Sequence, residues 1–100
     1  MTTIEYTQTA LDEFEALIDH IYQDSPQSAR SYFYRLEKAI ANLSHTPLIG
    51  VVCSKKKIKS DCRILIVDNY LIFYHYNPSI SLIKILHLTY GNVNYKKLFV

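Results

Sequence analysis

Nine residues near the middle of the chain, KKKIKSDCR at 55–63, carry five cations and one carboxylate in a protein whose formal net charge is only +2. Lys55, Lys56, Lys57 and Lys59 lead into Arg63, which opens the apolar run RILIV, and His87 and Tyr90 stand in a later run, ILHLTYG. These side chains suit the cutting of RNA without a metal. A base takes the proton of a ribose 2′-hydroxyl, cations stabilise the charge developing on the phosphorane, and an acid protonates the departing 5′ oxygen. In that chemistry Arg63 holds the phosphate, His87 moves a proton, and Tyr90 stacks on a base or shares the acid–base work. Lys96 and Lys97 extend the basic set beyond Gly91. Each group also has a purely structural reading: a histidine fixed within a strand, a packed tyrosine among nine, and a solvated lysine loop. His20, His45 and His75 read as structural or surface residues. No HExxH, P-loop, GxSxG or dinucleotide-binding pattern is present, and neither a metal nor a cofactor is expected.

Bringing Arg63, His87 and Tyr90 to one place is a task for the surrounding elements. Residues 2–7, TTIEYT, alternate and are rich in β-branched types, which predicts a short strand. Leu11, Phe14, Leu17, Ile18, Ile21 and Tyr22 then recur at helical spacing, with Thr9 as the expected N-cap and Asp12 and Glu13 in the first turn. Ser25-Pro26 starts a second helix, whose stripe runs through Ala29, Tyr32, Phe33, Leu36, Ile40 and Leu43. HTPLIG at 45–50 ends it, and the basic stretch follows as a loop or ragged strand. RILIVD, NYLIFYHYN and ISLIKILHLTYG predict three antiparallel strands, with the tail NVNYKKLFV as a further strand or an arm. The start of the first of these strands and the end of the last are expected at one edge of the sheet, where Arg63, His87 and Tyr90 would converge.

The order β-α-α-β-β-β specifies an α+β fold, a helical hairpin on one face of a twisted, mainly antiparallel sheet. One hundred residues support a single domain over 1–100. No apolar run spans a bilayer and no signal segment opens the chain, so a cytoplasmic protein is expected. Cys53 and Cys62 lack metal spacing and read as free thiols in a reducing compartment. Charge is lopsided: seven acids against three cations in residues 1–50, and eight cations against two acids in 51–100. That asymmetry bears on partners and encounter rates rather than on the fold. Strand 63–67 is apolar in both parities, Ile64 and Ile66 against Leu65 and Val67, so the second sheet face needs a cover, either a partner segment or the C-terminal tail.

In this order of motifs, from ALDEFEALIDHIYQDSPQSA through HTPLIG and RILIVDNYLIFYHYN to ILHLTYG, the chain resembles the RelE/ParE superfamily of bacterial type II toxins over almost its whole length. The resemblance implies a cognate antitoxin that wraps the toxin and masks its basic face. It also implies one of two activities. RelE-like and YoeB-like members enter the ribosomal A site and cut mRNA as metal-independent endoribonucleases. ParE-like members inhibit DNA gyrase by binding it. On the nuclease side Arg63 matches the arginine opening the second long strand, the lysines at 55–59 match the basic approach to it, and His87 and Tyr90 match C-terminal site positions. The RNA-binding set is then Lys55, Lys56, Lys57, Lys59, Lys96 and Lys97. Relatives often carry arginines just after the glycine, where this chain has Asn92, Val93 and Asn94. The expected activity is a ribosome-dependent mRNA endonuclease, with gyrase inhibition as the alternative.

Overall fold

The computed structural model describes residues 2–56 and 61–91. Strand β1 (Thr3–Tyr6) is followed by helices α1 (Gln8–Asp24) and α2 (Pro26–Asn42), then by strands β2 (Val51–Val52), β3 (Arg63–Val67), β4 (Tyr70–Asn77) and β5 (Leu82–Tyr90). The sheet order is β1-β5-β4-β3-β2, with β1 parallel to β5 and every other pair antiparallel. The expected β-α-α-β-β-β order is present with one addition, the two-residue strand β2, which lies between the HTPLIG link and the basic stretch.

The helix ends follow from local chemistry. Thr7, rather than Thr9, caps α1: its Oγ1 accepts from the Ala10 amide at 3.1 Å. The helix therefore starts earlier than expected, and Asp12 and Glu13 lie beyond its first turn. A single residue joins the two helices. Ser25 donates its amide to Ile21 O at the end of α1 and accepts from the Ser28 amide at the start of α2, where Pro26 takes the first helical position and loses no needed N–H. After α2 the hydroxyls of Ser44 and Thr46 donate to Ala41 O and Asn42 O, satisfying carbonyls that the ended helix leaves open.

Paired residues on neighbouring strands share a face. Leu65, Ile72 and Leu88 therefore lie together under the helices, and Tyr74, Ile85 and Tyr6 form the next row. These residues pack with Leu36, Ile40 and Leu43 of the helical side into the main core. Burying a large aliphatic side chain of this kind contributes about 1.5–3 kcal/mol. The opposite face has a smaller core of Cys53, Cys62, Ile64 and Phe73, with Leu71 and Leu86 packed against it.

Cys53 and Cys62 form a disulfide, with Cα atoms 5.3 Å apart. This corrects the expectation of two free thiols. The antiparallel β2–β3 pair brings the two ends of the 53–62 segment together, and the Cys53 amide donates to Cys62 O at 2.9 Å. The disulfide supplies part of the cover that the second sheet face requires, while Ile66 on that face stays 56% exposed. The tail expected to help cover it lies outside the described residues.

Candidate functional site

Arg63 opens β3 opposite Tyr74, on the helical face of the sheet. Its Nη1 donates to Gly50 O at 2.9 Å and to Leu48 O at 3.2 Å. The Tyr74 hydroxyl donates to Pro47 O at 2.8 Å and accepts from the Gly50 amide at 2.9 Å. Arg63 and Tyr74 thus lock the 47–50 link by backbone groups that no helix or strand satisfies. Gly50 is required because the approach is close: a Cβ there would stand 2.7 Å from the Tyr74 hydroxyl and 2.9 Å from Ile64 O. Burial pushes the Tyr74 phenol above its ordinary value; the Gly50 hydrogen bond and the Arg63 charge pull the other way.

His87 and Tyr90 are elsewhere, which corrects the expected convergence. Strands β3 and β5 both run antiparallel to β4, so they run in the same direction, and the first residue of one and the last of the other fall at opposite ends of the sheet. Tyr90 is opposite Tyr70, which is opposite Val67, the last residue of β3. The four-residue advance from Arg63 to Val67 is about 13 Å of strand. His87 is opposite Phe73, whose other neighbour is Ile64, in the parity facing away from Arg63. The three candidate residues occupy three separate places.

His87 is held by a contact the sequence did not reveal. A bulge opposite Phe73/Tyr74 shifts the register of β5 at this point, and β1 ends at Tyr6, leaving the edge of β5 beyond Ile85 without a paired strand among the described residues. Side chains from the α1 side fill in. Thr7 Oγ1 donates to Leu86 O, and Glu13 Oε1 accepts from the Leu88 amide at 3.2 Å while lying 3.1 Å from His87 Nδ1. Glu13 therefore serves the sheet edge rather than the helix dipole. The sequence signal for this was the shortness of β1 beside a long β5.

At the far end Tyr90 packs edge-on against Tyr70, with ring centroids 5.3 Å apart, and Tyr70 packs the same way on Tyr32. Arg35 lies 4.5 Å over the Tyr32 ring and pairs with Asp68 at 2.9 Å. This is an aromatic cluster with a cation stacked on it.

Around Arg63 the structure gathers residues that sequence reading had set aside. His75 follows Tyr74 in β4, and its Nε2 lies 3.2 Å from Asp61 Oδ2. Arg63, Asp61 and His75 line a cavity of about 580 Å³ together with Leu48, Val52, Ser54, Tyr76, Pro78 and the Cys53–Cys62 disulfide. The pairing of Arg63 with Tyr74 brings His75, the next residue of β4, to the same end of the sheet. Lys55 and Lys56 are exposed in the 3-10 turn Cys53–Lys56 beside this cavity. Lys57, Lys59, Lys96 and Lys97 lie outside the described residues. No group of three or more metal-binding side chains occurs among the described residues, and no described helix is long and apolar enough to cross a membrane.

Comparison with known proteins agrees with this architecture. The chain is similar over 90% of its length to a chain of the chromosomal ParDE toxin–antitoxin system of P. aeruginosa, with a TM-score of 0.68 at 17% identity and 96% of that chain covered. It is similar over 89% of its length to a chain of the RelBE2 toxin–antitoxin complex of Mycobacterium tuberculosis, with a TM-score of 0.61 at 18% identity and 96% covered. At such identities the likeness is one of fold: two helices on a five-stranded mixed sheet. No curated protein matches the chain. The family model described as the ParE toxin of the type II toxin–antitoxin system parDE matches residues 4–92, and on that match the chain belongs to the ParE toxin family.

Proposed function

We propose that this toxin arrests growth by binding DNA gyrase in the cytoplasm, as ParE-like toxins do, and that a cognate antitoxin holds it inactive. The observation that carries the choice over mRNA cleavage is the dispersal of Arg63, His87 and Tyr90 to separate places on the sheet. In-line cleavage through a 2′-hydroxyl needs a base, an acid and a charge stabiliser within hydrogen-bond reach of one phosphate. Arg63 and Tyr90, at opposite ends of the sheet, cannot share one. Each of the three has a structural occupation instead: Arg63 ties down the 47–50 link, His87 joins Glu13 at the sheet edge, and Tyr90 packs in the tyrosine cluster. The antitoxin partner is supported by the family itself and by the two similar folds, both of which come from toxin–antitoxin systems.

The test uses the purified full chain in two reactions. Supercoiling by gyrase is expected to fall with toxin concentration, while a defined mRNA in a cell-free translation reaction stays intact by primer extension. His87→Ala and Tyr90→Ala are expected to retain growth arrest. New 5′ ends in register with codons, formed only when ribosomes are present, would overturn the proposal in favour of the nuclease, with Lys55 and Lys56 as its first RNA contacts.

A further inference from the structure

We propose that the cavity at the Arg63 end of the sheet is a binding site for a single carboxylate, an acidic side chain presented between apolar residues by a partner protein. The argument begins with the guanidinium. Both hydrogen bonds of Arg63 to the 47–50 link come from Nη1. The Nε–Nη2 edge makes no hydrogen bond among the described residues, and this edge is the planar fork that meets a carboxylate with two parallel N–H···O bonds. The anchoring of Nη1 also fixes the plane of the fork in advance, which lowers the entropic cost of using it.

The rest of the lining selects the kind of anion. Leu48, Val52, Tyr76 and Pro78 line the same cavity as Arg63 and give it a largely apolar wall. Asp61, with a fully exposed side chain, stands at the same cavity next to His75. A nucleic-acid backbone would bring successive phosphates against that carboxylate and against the apolar wall of Leu48, Val52 and Pro78. One carboxylate flanked by apolar side chains avoids both problems. It meets the fork while its neighbours cover Val52 and Tyr76, and the exposed Lys55 and Lys56 add a positive field for the encounter. The site is large enough for an acidic side chain and parts of its two neighbours.

This inference rests on the protein-binding reading of the toxin, but the two fail separately, because its test contains no gyrase. The full chain is titrated with a capped Leu-Glu-Leu tripeptide, its Leu-Gln-Leu counterpart, inorganic phosphate and a diribonucleotide, followed by the Arg63 Nε–H and the Val52 and Tyr76 amide resonances. The Glu peptide is expected to shift all three at millimolar concentration, and the Gln peptide to bind at least about tenfold more weakly, since a charge-assisted pair is lost. Ser54→Glu places a competing carboxylate at the cavity without touching the Nη1 bonds. It is expected to weaken the Glu peptide at least about tenfold while leaving the dispersion of the spectrum unchanged. Equal binding of the two peptides, no response, or full binding to the Ser54→Glu variant would each overturn the proposal. Tighter binding of phosphate or the diribonucleotide than of the Glu peptide would also overturn it and mark the cavity as a nucleic-acid contact.

Discussion

The two ends of the sheet are built from the same residue types and use them in opposite ways. At one end Arg63 and Tyr74 spend their polar atoms on backbone groups of the 47–50 link, with Gly50 pressed against the phenol and the Cys53–Cys62 disulfide beside them. At the other end Arg35, Tyr32, Tyr70 and Tyr90 meet face to edge, and the turn between β3 and β4 is held by the exposed Arg35–Asp68 pair. Hydrogen bonds to buried and partly buried backbone groups are directional and costly to lose. Ring contacts and a surface ion pair tolerate displacement. The Arg63 end should therefore be intolerant of small changes, and the tyrosine end forgiving.

The largest test of that contrast is the disulfide, which has no counterpart at the tyrosine end. Closing a loop over a sequence separation of 9 is worth about 2–3 kcal/mol in the chain-entropy description. Urea unfolding of the full chain with and without reductant should differ by that amount, with alkylation and mass spectrometry confirming the state of the cysteines. An unchanged midpoint after complete reduction would show that the hydrogen bonds alone secure this end. Glycine substitution comes next. A Cβ at Gly50 meets atoms at 2.7, 2.8 and 2.9 Å, one of them backbone, whereas a Cβ at Gly91 meets only Asn69 O at 3.1 Å and its carbon at 3.9 Å. Gly50→Ala is expected to cost about 1–3 kcal/mol through overpacking and displacement of the phenol. Gly91→Ala should cost clearly less, and the reverse order in thermal unfolding would break the comparison.

Removing one hydroxyl at each end gives a subtler pair. Tyr74→Phe leaves Pro47 O and the Gly50 amide without their partner and is expected to cost about 1–3 kcal/mol. The Tyr90 hydroxyl makes no hydrogen bond among the described residues, so Tyr90→Phe should stay within about 0.5 kcal/mol of the parent. A costly Tyr90→Phe would assign that hydroxyl a partner and tie the tyrosine end down as firmly as the other.

Much of this arrangement was legible in the sequence, and the parts that were not share a physical cause. Helical spacing through Leu36 and Ile40, the Ser25-Pro26 start and the three apolar runs from Arg63 onward are local signals, and each sits where expected. Strand β2 escaped because two residues carry no periodicity, and with it went the pairing that brings Cys53 to Cys62. The convergence of Arg63, His87 and Tyr90 failed on strand direction, a property of the sheet and not of any one run. Glu13 at the edge of β5 and His75 beside Asp61 depend on register, which local composition does not encode.

The smallest effect appears only at high pH. Burial raises the phenols of Tyr74, Tyr70 and Tyr6 above their ordinary value, with Tyr32, Tyr90 and Asp68 adding to the shift at Tyr70 and Glu37 to that at Tyr6. A raised acid loses its proton first in the unfolded chain. Its contribution to stability is whole below the unfolded value near 10 and is lost as pH climbs through the folded value, at most about 1.4 kcal/mol per pH unit for each tyrosine. Alkaline unfolding should therefore set in above about pH 10. Tyr74→Phe and Tyr70→Phe should both flatten that limb, but they part company at neutral pH. Tyr74→Phe has already lost its two hydrogen bonds, whereas Tyr70→Phe, whose hydroxyl makes none among the described residues, starts from parental stability. An alkaline limb unchanged in Tyr70→Phe would mean that the tyrosine end opens to solvent before it titrates, and the contrast between the two ends would then be one of opening rather than of hydrogen bonding.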